Sequence, residues 1–277
     1  MTRTNDTTDT GGRRTLADRY VLGELIGRGG MGTVYAAHDE WEQRRVAVKL
    51  IKNRRASEGR AWRMFSRELR AALKLDHPGI VSVFDYGIDE DGLPFFVMEF
   101  VPGLVLSDLS DQPLRWMDVV DVFEQMLETL AYAHARGVVH RDIKPDNFLV
   151  APGDGRPRIK LVDFGIAKLM GEGGLEPRSP RRAAESMTDL ARDFTLSDDA
   201  TVGTPAYMAP ELGLNEVHHI GPQTDLYSLG CMLYEFVSGQ RPFDGRNLMA
   251  VILAHCSAPI PTLRQRDGSE VPMELER

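Results

Sequence analysis

Along the first hundred positions, apolar residues come in short β-branched or aromatic runs separated by turn residues. This pattern predicts strands over 20–26, 33–37, 45–51, 81–88 and 95–100. One stretch differs. Over 61–75 the apolar residues Trp62, Phe65, Leu69, Ala72 and Leu73 recur at helical spacing, which predicts one helix among the strands. After Pro102-Gly103 the helical period dominates. Trp116, Val119, Val120, Phe123, Met126, Leu127 and Leu130 form a long stripe, and short strands follow at 148–150 and 159–162. The run 226–237 is the most apolar of the chain but contains Glu235. It is too short to span a bilayer and predicts a helix buried inside a soluble protein. Over 171–201 the pattern is loop-like, although Ala183, Met187, Leu190 and Phe194 suit one face of a short helix.

These elements fit an α+β organisation in two lobes joined near 99–104. Residues 1–17 hold six threonines and almost nothing to bury, so they are expected to be a disordered tail. The sheet-rich lobe then runs over 18–100 and the mainly helical lobe over 101–277.

Composition narrows the function classes. With 277 residues, 42% hydrophobic and 27% charged, the chain can build a core without staples. Its net charge of −8 argues against nucleic-acid binding, which needs a basic surface. Cys231 and Cys256 cannot make a disulfide framework. They read as small core residues in a reducing compartment, and without a signal peptide or membrane segment the expected location is the cytoplasm.

Five motifs carry chemistry. Gly27-Arg28-Gly29-Gly30-Met31-Gly32 lets a backbone approach phosphates closely. The residues after it, Thr33-Val34-Tyr35, read as strand, so this loop is a hairpin and not the helix N-terminus of a dinucleotide site. In Val46-Ala47-Val48-Lys49, alternation places Ala47 and Lys49 on one face of a strand. Glu68 borders the apolar stripe of its helix, where a carboxylate needs a partner, and Lys49 is the natural one. The strongest segment is His140-Arg141-Asp142-Ile143-Lys144-Pro145-Asp146-Asn147, followed by Asp163-Phe164-Gly165 and Ala209-Pro210-Glu211. Each alone passes for a polar turn. Their order and spacing together do not arise by chance.

Taken together, these motifs resemble the protein kinase family, of the eukaryotic-like Ser/Thr type found in bacteria. The resemblance runs from about Tyr20 to about Ile260 and implies the two-lobed kinase fold, ATP, and Mg²⁺ or Mn²⁺. It implies that Ile26, Gly27, Gly29, Gly32, Val34 and Ala47 enclose the nucleotide. Lys49 would hold its phosphates and pair with Glu68. Asp163 and Asn147 would ligate the metal, Asp142 would accept the substrate hydroxyl proton, and Lys144 would neutralise the transferring phosphate. Adenine would meet Val97-Met98-Glu99-Phe100-Val101, with Met98 as gatekeeper and the backbone of Glu99 and Val101 as its partners. Asp225 would brace the catalytic loop. Lys144, and Thr204 in Gly203-Thr204-Pro205, point to Ser/Thr rather than Tyr specificity. Protein substrates and a homodimer for trans-autophosphorylation are the implied partners.

Arg141, beside Asp142, marks control by a phosphorylated activation loop in this family. The loop offers Thr195, Ser197 and Thr201, one or more of which is the expected acceptor, while Asp198 and Asp199 offer a constitutive charge in their place. The activation segment 163–211 is 49 residues long, and its excess, 171–194, holds a basic patch of Arg178, Arg181 and Arg182. That excess reads as a surface insertion, or else as a docking or autoinhibitory element. Arg60, Arg63, Arg67 and Arg70 share one helical face, either solvated or a dock for a phosphorylated loop. The family continues beyond this point with further helices and an arginine that pairs with the glutamate matching Glu211. The resemblance therefore implies a C-terminally truncated catalytic domain whose Glu211 lacks that partner.

Two other functions compete. A pseudokinase scaffold predicts loss of Lys49, Asp142, Asn147 or Asp163, and all four are present. A small-molecule phosphotransferase does not need 203–211, which resembles a protein-substrate platform.

Overall fold

The computed structural model describes residues 14–29, 32–52, 74–109, 116–162, 205–214, 216–266 and 271. They fall into two compact units. The first holds residues 14–52 with Val83–Phe100, and the second holds 74–82 with the described residues from 101 on.

The first unit is a six-stranded antiparallel sheet in the order β1-β2-β3-β4-β6-β5. Its strands are β1 (Thr15–Leu16), β2 (Tyr20–Gly29), β3 (Gly32–Asp39), β4 (Arg44–Ile51), β5 (Val83–Ile88) and β6 (Pro94–Glu99). Period-two alternation sends Val46, Val48 and Leu50 into a core with Leu16, Tyr20, Leu22, Ala37, Phe95 and Val97. Ala47 and Lys49 take the opposite face, as their spacing predicts, and that face is also buried.

Order begins earlier than the Thr-rich composition suggests. Leu16 is 3% exposed, β1 pairs with Val21 and Tyr20, and Arg14 binds Asp89 at 2.7 Å. One buried leucine and the ion pairs of Arg14 with Asp89 and Asp91 therefore tie residues 14–17 to the sheet, against the expected tail, while 1–13 lie outside the described residues. A second difference concerns 81–88. The strand starts only at Val83, because Val81 donates to the Leu161 carbonyl (2.9 Å) and Leu161 donates to that of Gly79 (2.8 Å). Ile80 and Val81 thus belong to the second unit. Gly79 is required there, since a Cβ would lie 2.1 Å from the Thr129 hydroxyl.

The second unit combines a small sheet with helices. Strands β7 (Leu104–Val105), β8 (Phe148–Ala151) and β9 (Arg158–Leu161) pair in that order. Among the described residues its α-helices are α1 (Trp116–His134), α2 (Pro210–Gly213), α3 (Pro222–Ser238) and α4 (Leu248–Ser257). In α1 the buried face is Val119, Val122, Phe123, Met126, Leu130 and Ala133, with Phe123 edge-on to Phe236 of α3. Val120 and Leu127, expected in the stripe, point to solvent, because the true face is set one position round by Val122 and Ala133. The apolar run in α3 is buried on one side only, and Leu226 is exposed. Pro222 starts α3 and Gly239, at φ 73°, ends it. Cys231 is buried, Cys256 only half-buried, and both are free thiols. The expected helix over 61–75 falls outside the described residues up to 73, as does the predicted short helical face near 183–194. Among the described residues, no helix is long and apolar enough to cross a membrane.

Candidate active site

The glycine-rich stretch joins two antiparallel strands, as its sequence context predicts: Gly27 faces Val34 and Gly29 faces Gly32 across β2 and β3. Gly32 admits no side chain, since a Cβ would sit 2.3 Å from the Leu50 carbonyl oxygen. Register then gathers one face of the sheet. Val34 stands opposite Lys49, Ala36 opposite Ala47, Ala47 opposite Met98, and Lys49 opposite Phe96. Directly opposed residues share a face, so Val34, Ala47, Lys49 and Met98 lie together. Lys49 is 8% exposed, and its Nζ lies 5.8 Å from the Phe96 ring centroid. A lysine this buried is not an ordinary solvent-facing strand residue. Glu99 ends β6 opposite Val46, and Ile26 lies exposed on β2.

The second unit holds the loop 140–147, and its geometry is closely specified. The Asn147 side-chain amide donates to the Asp142 carbonyl (2.6 Å) and to Asp142 Oδ2 (3.2 Å). Lys144 Nζ lies 3.3 Å from the same Oδ2. Both contacts fix how the carboxylate is turned. A three-residue 3₁₀ turn, Pro145–Asn147, makes this possible by carrying Asn147 back over Asp142. Asn147 is itself pinned, because Val162 donates to its carbonyl at 2.8 Å.

His140 is fully buried. Its Nδ1 accepts from the Asp142 amide (3.3 Å), which leaves the Nε2 proton to be donated to the Val162 carbonyl (3.1 Å). Arg141 has φ 66°, a left-handed conformation that is costly for a side chain of this kind. Asp225 of α3, also fully buried, holds it there. Its carboxylate accepts from the His140 amide (2.8 Å), from the Arg141 amide (2.7 Å), and pairs with His134 Nε2 (2.8 Å). The brace expected of Asp225 is thus present, and His134 on α1 is a member of it that sequence reasoning missed. A helix-borne histidine gives no sequence signal of such a role.

A third cluster surrounds the end of the activation segment. Glu211 accepts from the buried Thr224 hydroxyl at 2.5 Å, and Thr224 also receives the Gly221 amide (3.1 Å). Glu211 therefore has a hydrogen-bond partner within this chain, a threonine and not the arginine that the resemblance assigns to its glutamate. Tyr207 donates to Glu235, which Arg241 also contacts at 3.3 Å. Burial and then the Glu235 hydrogen bond push the Tyr207 phenol well above its ordinary range. Burial likewise pushes the Cys231 thiol up to about 12, so Cys231 is an inert core residue.

The structure brings Asp142, Lys144, Asn147 and Arg141 together on one loop, and Val34, Ala47, Lys49 and Met98 on one sheet face. Val101 opens the second unit and is half-buried. Glu68, Asp163, Thr195, Ser197, Thr201 and Thr204 lie outside the described residues, as do the arginines of 60–70 and 178–182.

Comparison with known proteins shows the family. Residues 20–272 match the protein kinase domain family. The chain is 34% identical over 94% of its length to the serine/threonine-protein kinase PknB of Mycolicibacterium smegmatis. It is 38% identical over 87% to a probable serine/threonine-protein kinase of Streptomyces coelicolor, and 33% identical over 95% to PrkC of Bacillus subtilis. It spans between 33% and 39% of the length of these curated relatives. By its motifs, its fold and these relatives, the chain belongs to the protein kinase domain family, on the bacterial serine/threonine branch.

Proposed function

We propose that this chain transfers the γ-phosphate of ATP to serine and threonine hydroxyls of proteins, and to its own activation loop. The observation that carries the reading is the Asp142–Asn147–Lys144 cluster on a loop bonded to Asp225. Phosphoryl transfer asks a protein mainly for positioning and charge neutralisation, and this cluster offers both. Asp142 takes the proton of the attacking hydroxyl, and Lys144 meets the charge of the transferring group. Lys49 holds the phosphates from the sheet face and pairs with Glu68. Gly27, Gly29 and Gly32 cover the phosphates, while Ile26, Val34, Ala47, Met98, Glu99 and Val101 receive adenine.

A divalent cation is part of the family's chemistry, and the residues suit it. The Asn147 amide nitrogen is spent on Asp142, which leaves Oδ1 for a hard cation that takes oxygen ligands, with Asp163 as the second ligand. Mg²⁺ or Mn²⁺ supplies neutralisation of phosphate charge when bound.

Regulation follows from Arg141, whose charge cannot be switched off and which suits a phosphorylated Thr195, Ser197 or Thr201, with Thr204 contacting the catalytic loop. The test is incubation with Mg²⁺ and labelled ATP followed by site mapping. Label within 195–201 is expected, and Lys49→Met should lower incorporation by about 100-fold or more. An active preparation with Thr195, Ser197 and Thr201 all unmodified would refute the autophosphorylation.

A further inference from the structure

Helix α4 carries a buried histidine that phosphoryl transfer leaves without a task. His255 is 6% exposed. Its Nδ1 lies 2.9 Å from the Tyr227 hydroxyl of α3, and the rings of Tyr227 and Phe243 meet it edge-on at 5.7 and 4.9 Å. Its Nε2 is buried and makes no well-formed hydrogen bond among the described residues, although the ring makes looser ones to the Pro205 and Ala206 backbone. A phenylalanine would fill the same space but lose the contacts to the Tyr227 hydroxyl and to the Pro205 and Ala206 backbone, so packing alone does not account for an imidazole here. What lies against the ring is the backbone of Pro205 and Ala206, in the turn Pro205–Tyr207 that packs on α4. This turn leads from Gly203-Thr204 into Ala209-Pro210-Glu211.

We propose that His255 is a positioning residue for the protein substrate: uncharged, it seats the Pro205–Tyr207 turn on α4, and protonation in mild acid loosens that seat. The inference rests on the kinase reading for its link to substrate. Burial depresses the His255 pKa below the ordinary value of 6.5, while the Pro205 and Ala206 backbone offsets this only in part. A group whose pKa is lowered in the seated arrangement takes its proton more readily when unseated. The seat is therefore intact above about 6.5 and weakens as pH falls below it.

The neighbouring titratable groups do not share this window. Tyr227 and Cys231 of α3 and Cys256 of α4 are all shifted upward by burial and stay neutral. Glu211 acts on Tyr227, Glu216 on Cys256, and Glu235 on Cys231. Tyr207, on the turn itself, is held by Glu235 beside Arg241 and is also shifted upward. None of the three glutamates is among the causes of the His255 shift.

The test follows steady-state kinetics from about pH 5.5 to about pH 8, with a threonine peptide that lacks histidine. Three proteins are compared: the unmodified chain, His255→Asn and Tyr227→Phe. Amide exchange of 205–209, corrected for intrinsic pH dependence, is followed in parallel. In the unmodified chain the peptide KM should rise about five-fold toward the acid end while the KM for ATP stays within about two-fold. Exchange protection of 205–209 should fall over the same window. His255→Asn keeps a polar atom toward Tyr227 but takes no proton, so both acid limbs should vanish. Tyr227→Phe removes the Nδ1 contact without removing the titrating ring, so its limbs should remain with a displaced midpoint. Parallel profiles in the unmodified chain and His255→Asn, in both readouts, would overturn the proposal. Should no protein phosphorylate the peptide, the kinase reading fails, and the exchange profiles alone still decide the role of His255.

Discussion

Two buried carboxylates, one in each unit, solve the same physical problem in different ways. Asp39 in the sheet is 1% exposed and is met by the Arg19 guanidinium through two bonds of 2.7 Å, with the Trp41 and Glu42 amides adding to it. Arg19 in turn lies over the rings of Tyr20 and Trp41. Asp225 in α3 is fully buried and is met by no arginine or lysine in the bonds described above. Two backbone amides of the loop 140–147 and the His134 ring are its partners. A fork of guanidinium bonds ties two strand ends together and asks nothing of backbone shape. Amide partners dictate backbone shape, and here they hold Arg141 at φ 66°. The first carboxylate serves stability, and the second shapes a site.

Removing each in turn separates those roles. Asp225→Ala leaves two buried amides unmet and should cost about 3 kcal/mol in urea unfolding. By releasing the loop that carries Asp142, it should also lower kcat about 100-fold. Asp39→Asn should cost about 2 kcal/mol yet leave kcat within about two-fold. An equal loss of kcat in both variants would erase the distinction. Acid titration sharpens it further. Arg19 holds the Asp39 carboxyl at about 2, below its ordinary 3.8. The stability it confers is complete above 3.8 and disappears as pH falls toward 2, so the unfolding profile of Asp39→Asn should be flatter in that range. The smallest effect belongs to Arg19→Lys, which keeps the charge but loses the fork. Its Tm should fall by less than that of Asp39→Asn, with activity unchanged.

The strands of the sheet were legible because each buries one alternating row, and the loop 140–147 because its residue order is dense with chemistry. The short strand at Thr15–Leu16 was hidden, since a single leucine among threonines makes no periodic signal. What anchors it, pairing with Tyr20 and the Arg14–Asp89 bridge, joins positions far apart in sequence. Val81 misleads for a related reason. Its β-branched character is satisfied by Leu161 of another sheet segment, and propensity does not name its partner. The helical spacing in α1 includes Val120 and Leu127, which are apolar yet exposed, as surface leucines and valines often are. Thr224, His134 and the Tyr207–Glu235–Arg241 cluster were invisible for want of any local rule that pairs a threonine or a tyrosine with a distant carboxylate.

The central claim is that Asp142, held by Asn147 and Lys144 on a loop braced by Asp225, serves phosphoryl transfer. The most direct measurement is transfer of label from γ-labelled ATP to a threonine substrate in the presence of Mg²⁺. The unmodified chain is compared with Asp142→Asn, and ATP affinity is measured on both. The account predicts transfer by the unmodified chain, a loss of about 1000-fold in the variant, and equal ATP binding. Transfer at the same rate by both, or ATP binding without transfer by the unmodified chain, would contradict it.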